Sequence, residues 1–268
     1  MTIVGTLETR YEEVMQRVRE AAERSGRTAE SILTVAVGKY AELEDIRTLI
    51  AMGHRDFGES RVQQLVHRAV MIEEQIDREH RMPRVTAEGA GISKQDPLLS
   101  GDDLRWHMIG RLQRNKAKKL IGVARLVHAV DSLKLADELQ QYAIKKDIET
   151  DVLVQINSTD EADKGGVAMP AAPHLAQQID DMFPLRIRGY MTMGPTSRDR
   201  AQTQDAFERT ADLFRETAKT GLGDGHFNIL SMGMSGDYEM AIEAGANIVR
   251  VGSAIFGERE VEQIPEED

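Results

Sequence analysis

Short runs of Val, Ile, Leu and Ala recur along the chain, separated by longer segments in which apolar and polar residues alternate with helical spacing. The runs are nearly continuous in apolar residues, which is typical of parallel strands covered on both faces. Eight such runs occur, at residues 32–39, 55–60, 105–110, 125–130, 151–157, 187–194, 227–234 and 247–257.

The segments between these runs have the periodicity of amphipathic helices. Helices are predicted over residues 42–53, 131–146, 197–221 and 235–245, and an extra helix over 6–26 precedes the first strand. Strand–helix alternation repeated eight times predicts a (β/α)8 TIM barrel with an extra N-terminal helix. An open doubly wound sheet is the alternative. The count of eight, with no sequence remaining for a second domain, favours the barrel.

The length of 268 residues suits one barrel, so a single domain is predicted over residues 1–268. Two segments depart from the alternation. Residues 77–104 are rich in Gly, Pro and charge, and we predict a flexible insertion there. Residues 258–268 are predicted to form a solvated acidic tail.

Composition excludes several classes of function. The formal net charge of −11 opposes binding to a phosphate backbone, so no nucleic-acid partner is expected, and the basic run at 111–119 is interpreted as a solvated helix face. The absence of cysteine excludes disulfides and thiolate chemistry, and the histidines show no metal-binding spacing. Neither a signal peptide nor an apolar run of about 18 residues is present, which predicts a cytoplasmic protein without membrane association.

The seventh and eighth predicted strands end in glycine- and serine-rich loops, "SMGMSGD" and "RVGS". Barrels of this class often bind a phosphate with the loops that follow these two strands. Gly233 would make a tight turn and Ser235 would open a helix, while Gly252 would allow close approach of a ligand and Ser253 would donate a hydroxyl. Together they predict an anion site. Two ordinary glycine turns with capping serines are the alternative.

The first predicted strand ends on Lys39. We expect apolar surroundings to favour its neutral amine, which can form a Schiff base with an aldehyde. A lysine that reaches past the strand end into solvent is the alternative. Strands one and eight are neighbours in a closed barrel, so a phosphate-bearing aldehyde could contact both ends. That description fits pyridoxal 5′-phosphate.

Long stretches of the sequence resemble the YggS/PROSC-type pyridoxal phosphate homeostasis proteins. The stretches are "AVGKY", "HRDFGESRVQQL", "WHMIGRLQRNKAKKL", "VHAVDSLKLADEL", "GYMTMGP" and "LSMGMSGDYEMAIEAGANIVRVGSAIFGER". They occur in one order and extend over nearly the whole chain except residues 77–104 and the tail. The resemblance is therefore specific.

The resemblance implies a barrel like the N-terminal domain of alanine racemase, with pyridoxal 5′-phosphate held as a Schiff base on Lys39. It implies that Ser231 lies near the pyridine nitrogen. It also implies a phosphate site made by residues of the last two loops, Ser235, Gly252 and Ser253, with Arg250 adjoining.

Two positions depart from the family pattern. Gly38 stands where the family usually has serine, and Ser60 stands where the family usually has asparagine. The asparagine lies over the cofactor in the family, so Ser60 would reach less far and make a weaker contact.

Three functions are consistent with these residues. The first is cofactor homeostasis: a monomeric carrier or buffer without committed catalysis, with apo-enzymes as recipients. The second is an amino-acid racemase, which needs a second acid–base group opposite the lysine; Tyr40 and Tyr190 lie near strands and could line the pocket. The third is a barrel that binds another phosphorylated metabolite without a Schiff base. His107 is interpreted as a core or pocket-wall residue.

Overall fold

The strands of the protein all run parallel in one sheet. The computed structural model describes residues 5–81, 103–159, 161, 164–197 and 199–257. The strands are β1 (Leu33–Val37), β2 (Asp56–Glu59), β3 (Arg105–Met108), β4 (Ala124–Val130), β5 (Thr150–Asn157), β6 (Val167–Ala168), β7 (Leu185–Thr192), β8 (Ile229–Ser231) and β9 (Ile248–Val251).

Eight of these strands close into a barrel, in the order β1, β2, β3, β4, β5, β7, β8 and β9, with β9 pairing back onto β1. The predicted TIM barrel is thereby confirmed. The short strand β6 pairs only with the end of β5, outside the closed ring. Its two residues are too few to give a pattern in the sequence.

Helices surround the barrel, as the periodicity predicts. They are α1 (Leu7–Arg24), α2 (Leu43–Ala51), α3 (Val62–Arg81), α4 (Ala117–Leu120), α5 (Leu133–Lys146), α6 (Ala172–Asp180), α7 (Arg200–Ala218), α8 (Tyr238–Ala244) and α9 (Ser253–Phe256). The extra N-terminal helix is α1, which packs against α8 and α9. Arg24 of α1 pairs with Glu243 of α8 at 2.7 Å.

The apolar residues of the strands divide between two layers, because successive side chains of a strand point to opposite faces. Val35, Leu126, Leu153, Met191 and Ile248 form a cluster inside the barrel. The residues that point outward join the larger core between strands and helices. Burial of both faces explains why the strand runs are nearly continuous in apolar residues.

One boundary predicted from the sequence is wrong. Helix α3 continues to Arg81, so residues 77–81 belong to the helix and not to an insertion. Leu104, at the end of the predicted insertion, is buried in the core. Residues 82–102 and the predicted acidic tail at 258–268 lie outside the described residues. The assignment of the whole chain to one domain stays a prediction.

Surface helices carry charge, and α4 is an example. The basic run at 111–119 leads into this helix, where Lys118 and Lys119 are exposed, as the sequence predicts for a solvated face. Within the parts of the chain that the structure describes, no helix combines the length and the apolar character needed to cross a membrane.

The register between β1 and β9 determines which residues meet at the edge of the barrel. Val35 lies opposite Arg250, and Ala36 lies opposite Val251. The chain segments that follow these two strands therefore leave the sheet side by side. Gly252 packs closely on Val37, because a Cβ at Gly252 would lie 3.2 Å from the Val37 carbonyl oxygen.

Candidate ligand site at the carboxyl ends of the strands

Ser235 joins the two loops that the sequence predicts to bind an anion. Its hydroxyl oxygen accepts hydrogen bonds from the backbone N–H of Gly252, at 3.1 Å, and of Ala254, at 3.2 Å. Ser253 is the first residue of α9, and the first N–H groups of a helix have no acceptor within the helix. The loops after β8 and β9 thus form one polar surface.

Gly233 shapes this surface because no other residue fits its position. Its φ is 87°, in the left-handed region. A Cβ there would lie 2.6 Å from the Cβ of Ala241 and 2.8 Å from the Cα of Tyr238. The Gly233 carbonyl accepts the backbone N–H of Arg250 at 3.0 Å, which ties the turn to β9.

Lys39 lies at the same edge of the barrel, in a tight turn at Gly38–Tyr40 that directly follows β1. Its side chain is exposed, and its amine lies 4.9 Å from the centre of the Tyr40 ring. The prediction that Lys39 lies among apolar side chains is therefore wrong. The strand ends at Val37, and the turn carries the lysine out of the barrel wall.

A buried ion pair is bonded to the backbone of the turn that carries Lys39. Arg68 of α3 pairs with Glu59 at the end of β2, and both side chains are almost fully buried. The Arg68 guanidinium also donates to the carbonyl oxygens of Gly38 and Ala41, each at 2.5 Å. Burial raises the pKa of Glu59, and the charge of Arg68 opposes this only in part. Arg68 therefore ties helix α3 to both flanks of the turn.

The ion pair explains why position 38 is glycine in this chain. A Cβ at Gly38 would collide with the guanidinium of Arg68 and with the carboxylate of Glu59. Both groups are buried and bonded to each other, so neither can move aside freely. A side chain at position 38 would therefore require the buried Arg68–Glu59 pair to move.

Ser60 follows β2 and is partly buried at the edge of the barrel. Its backbone packs against Gly110, where a Cβ would collide with the Ser60 carbonyl group. The segments after β2 and β3 are thereby held together beside the Lys39 turn.

Ser231 lies inside the barrel at the end of β8 and is fully buried. Arg250 donates to its hydroxyl oxygen at 2.6 Å and to the carbonyl of Thr192 at 2.8 Å. Burial lowers the pKa of Arg250 to about 10, although Asp237 opposes the shift, and the guanidinium stays charged at neutral pH. Arg250 therefore places a positive charge beneath the loops of the site.

A chain of buried polar side chains continues from Ser231 across the barrel. His128 Nδ1 lies 3.0 Å from the Ser231 hydroxyl, and His128 Nε2 lies 3.0 Å from His107 Nδ1. His107 Nε2 lies 3.1 Å from Asp56 Oδ1. Arg105 closes the chain with two bonds to the Asp56 carboxylate, at 2.7 and 2.5 Å. His107 is thus confirmed as a core residue.

Among these hydrogen-bonded side chains, Asp56 carries the negative charge. Burial alone would raise the pKa of Asp56, but hydrogen bonds from Arg105 and His107 outweigh it and lower the pKa to about 2. Burial lowers the pKa of His128 well below its ordinary value, and the charge of Arg250 adds to this effect. Asp56 is therefore ionised and His128 is neutral at neutral pH.

The sequence analysis misses His128 and Asp56. His128 stands within the apolar stretch "LVHAV", and Asp56 directly follows Arg55 in "RDFG". The available signal is that His107 and His128 each interrupt an apolar run, which indicates polar groups facing the inside of the barrel. In the described parts of the chain, no group of three or more His, Asp or Glu residues is placed to bind a metal ion.

Tyr190, one of the two tyrosines that could have lined the site, packs among the helices instead. Its hydroxyl bonds to Thr217 of α7 at 3.0 Å, and its ring packs against Phe214 and Phe227. The side chain thus points away from the barrel interior. Tyr40 packs against the core between the strands and the helices.

We predict that Gly38→Ala destabilises the protein by about 1–3 kcal/mol, because the added methyl group must displace the buried Arg68–Glu59 pair. Gly236→Ala is the matched control: nothing lies within 4 Å of its added Cβ, so its effect should stay within about 0.5 kcal/mol. Urea denaturation measures both free energies of unfolding. Equal stability of Gly38→Ala and the wild type would contradict the steric argument.

The lowered pKa of Asp56 predicts an acid-dependent loss of stability. Its native pKa of about 2 lies below the ordinary value of 3.8, so the group stabilises the fold at pH values above 4. This contribution, about 2 kcal/mol, is lost as the pH falls from 4 to 2. Denaturation at several pH values should show that the wild type loses about that much more stability than Asp56→Asn over this range. Parallel pH profiles of the two proteins would refute the assignment.

Comparison with known proteins gives the family of the chain. The family model described as "Alanine racemase, N-terminal domain" matches residues 11–260. A pyridoxal phosphate homeostasis protein of Aquifex aeolicus is 33% identical over 254 residues, which cover 93% of this chain and 97% of that protein.

Two solved structures are similar over most of their length. An unknown protein from Bifidobacterium adolescentis has a TM-score of 0.80 and 29% identity, and the match covers 93% of this chain and 94% of that one. PipY of Synechococcus elongatus, solved with PLP bound, has a TM-score of 0.68 and 28% identity, with 90% of this chain and 99% of that chain covered. The chain therefore belongs to the alanine racemase N-terminal domain family and, within it, to the pyridoxal phosphate homeostasis proteins.

Proposed function

We propose that the protein binds pyridoxal 5′-phosphate at the carboxyl ends of its strands, holds it as a Schiff base on Lys39, and carries or buffers the cofactor without committed catalysis. The observation that carries the proposal is the pairing of β1 with β9. This pairing brings the exposed amine of Lys39 to the same edge of the barrel as the loop that begins at Gly252. The names of the relatives and the PLP-bound PipY structure support the choice of cofactor.

The phosphate is assigned to the surface that Ser235 joins. The N–H groups of Gly252 and Ala254 donate to the Ser235 oxygen and fix the loop, and the hydroxyls of Ser235 and Ser253 with the backbone N–H of Ser253 suit the oxygens of a phosphate group. Glycine at 233 and 252 lets these loops pack closely on Ala241 and on Val37, which sets the position of their backbone. The protein as a whole has a net charge of −11, so a local positive charge is needed, and Arg250 supplies it.

The ring is assigned to the end of β8, where Ser231 lies, beside Ser60. Ser231 and Arg250 are buried and already bonded to each other, so they offer a fixed polar surface to the ring nitrogen. Ser60 follows β2, which lies on the other side of β1 from β9, so it flanks the turn that carries Lys39. Rigid groups of this kind orient a ligand at little loss of conformational entropy.

The exposure of Lys39 fits a carrier better than an enzyme with a closed site. When bound, pyridoxal phosphate supplies an aldehyde that reacts reversibly with amines. Lys39 supplies the amine, and its open position gives water and recipient proteins access to the linkage. Recipient apo-enzymes and a monomeric state belong to the proposal.

A racemase would need a second acid–base group on the face of the ring opposite the lysine. Tyr190 packs among the helices, and burial raises its pKa to about 12, with the bond from Thr217 opposing. Tyr238 is likewise buried, which raises its pKa to about 12. Tyr11 and Tyr142 lie on helices, so Tyr40 is the one tyrosine beside the Lys39 amine.

Lys39→Ala should abolish the visible absorbance band that pyridoxal 5′-phosphate gains on the wild-type protein, and should weaken binding at least about tenfold, or about 1.4 kcal/mol. Lys118→Ala removes an exposed lysine of helix α4 and should leave both band and affinity unchanged. Titration followed by absorbance measures both. A band retained in Lys39→Ala would refute the Schiff base, and no band in the wild type would favour a different phosphorylated ligand.

The carrier role predicts no exchange of the Cα hydrogen of amino acids above the rate given by free cofactor. The loaded protein is incubated with L-alanine in D2O and the Cα signal is followed by NMR. Free pyridoxal 5′-phosphate at equal concentration is the control. Exchange well above that control would favour the racemase, and a Tyr40→Phe variant would then show whether this tyrosine is the second group.

A further inference from the structure

The buried chain from Asp56 to Ser231 fixes the direction of a hydroxyl group at the proposed ring site. We propose that His107 and His128 are positioning residues that commit the Ser231 hydroxyl proton to the barrel interior, so that Ser231 meets a bound ligand as a hydrogen-bond acceptor only. The inference rests on the proposed function in one respect: it takes the ligand atom near Ser231 to be the ring nitrogen of pyridoxal 5′-phosphate.

Each link of the chain must have one donor and one acceptor. The Ser231–His128 and His128–His107 distances are 3.0 Å, and the His107–Asp56 distance is 3.1 Å. A neutral imidazole has one N–H and one nitrogen that accepts, while a carboxylate only accepts. The direction of one bond therefore sets the direction of the next.

The first arrangement begins with His107 neutral. Its Nε2–H donates to Asp56, so its Nδ1 accepts from His128 Nε2–H. The Nδ1 of His128 is then an acceptor and takes the proton of the Ser231 hydroxyl. Every bond points from Ser231 toward Asp56.

The second arrangement begins with a proton on both nitrogens of His107. This cation donates to Asp56 and also to His128 Nε2. The remaining proton of neutral His128 then lies on Nδ1 and donates to the Ser231 oxygen. Ser231 would keep its own proton and could offer it to a ligand.

Charge favours the first arrangement. Arg105 already compensates the Asp56 carboxylate through two hydrogen bonds, and Arg250 is a second cation with only 3% of its surface exposed. A charged His107, itself only 2% exposed, would share the one Asp56 carboxylate that Arg105 already compensates, because the other nearby anion, Asp237, acts on Arg250. Its charge would therefore be in excess. Buried charges without a partner are strongly unfavourable.

The consequence for Ser231 follows from its number of lone pairs. Its hydroxyl oxygen has two, and the Arg250 guanidinium occupies one at 2.6 Å. Its proton is bonded to His128. One lone pair is left for a ligand, and no proton is left to donate.

The first test uses the protein without ligand and needs no variant. Long-range 15N–1H correlation spectra of uniformly 15N-labelled protein at neutral pH report which ring nitrogen of each histidine carries a proton. His54 is an internal reference, because its Nε2 lies 2.8 Å from the carbonyl oxygen of Asp56 and must donate to it. We expect His107 and His128 to show the same Nε2–H form as His54. A proton on His128 Nδ1, or a doubly protonated His107, would overturn the inference.

The second test uses the loaded protein and pyridoxal 5′-phosphate labelled with 15N in its ring. His128→Leu frees the Ser231 proton and should shift the ring 15N signal relative to wild type. His54→Leu removes a histidine that is also buried but lies outside the chain, and should leave the signal in place. An unshifted signal in loaded His128→Leu would overturn the ligand-facing role. If the wild type binds no cofactor, the proposed function fails, and the first test still decides the proton arrangement.

Discussion

The pairing of β1 with β9 is the constraint on which the site depends. A (β/α)8 chain has its first and last strands far apart in sequence, and only closure of the barrel makes them neighbours. Four residue pairs, from Leu33 with Ile248 to Ala36 with Val251, fix their register. The segment that carries Lys39 and the loop that begins at Gly252 then emerge together. Without closure, the amine and the proposed phosphate surface would lie at opposite edges of an open sheet.

The inside of the barrel combines an apolar cluster with a polar chain, and the two have different roles. The apolar cluster that includes Val35, Leu153 and Met191 contributes to stability by excluding water. The polar chain would be unfavourable in the same space if any member lacked a partner. Each side chain that links Arg105 to Arg250 has a hydrogen-bond partner. A complete chain of this kind is rigid, which suits groups that must present a fixed surface to a ligand.

Pattern and turn chemistry predict the barrel and the turns of the two glycine- and serine-rich loops because both depend on local sequence. Alternating strand and helix periods are readable residue by residue, and Gly233 and Ser235 stand in a turn whose geometry their side chains reveal. The surroundings of Lys39 are not readable in this way. A lysine at the end of an apolar run belongs to the wall or to the next turn, depending on where the strand stops, and the structure ends the strand at Val37.

The contacts that the sequence does not reveal are long-range ones. Arg68 is one of many arginines on a helix surface, and only packing of α3 against β2 places it beneath the Lys39 turn. His128 and Ser231 are 103 residues apart and meet across the barrel. No local periodicity encodes such a pair. The resemblance to a family supplies candidate positions for the ligand. Only the three-dimensional structure shows that a side chain at position 38 would collide with Arg68 and Glu59.

The central claim is that the amine of Lys39 is the group that holds the cofactor. Reduction of the loaded protein with borohydride, followed by peptide mapping with mass spectrometry, tests this most directly because it fixes the cofactor to the nitrogen that carries it. The account predicts a covalent label confined to the peptide that contains Lys39. A label on other lysines with the Lys39 peptide unmodified would contradict it.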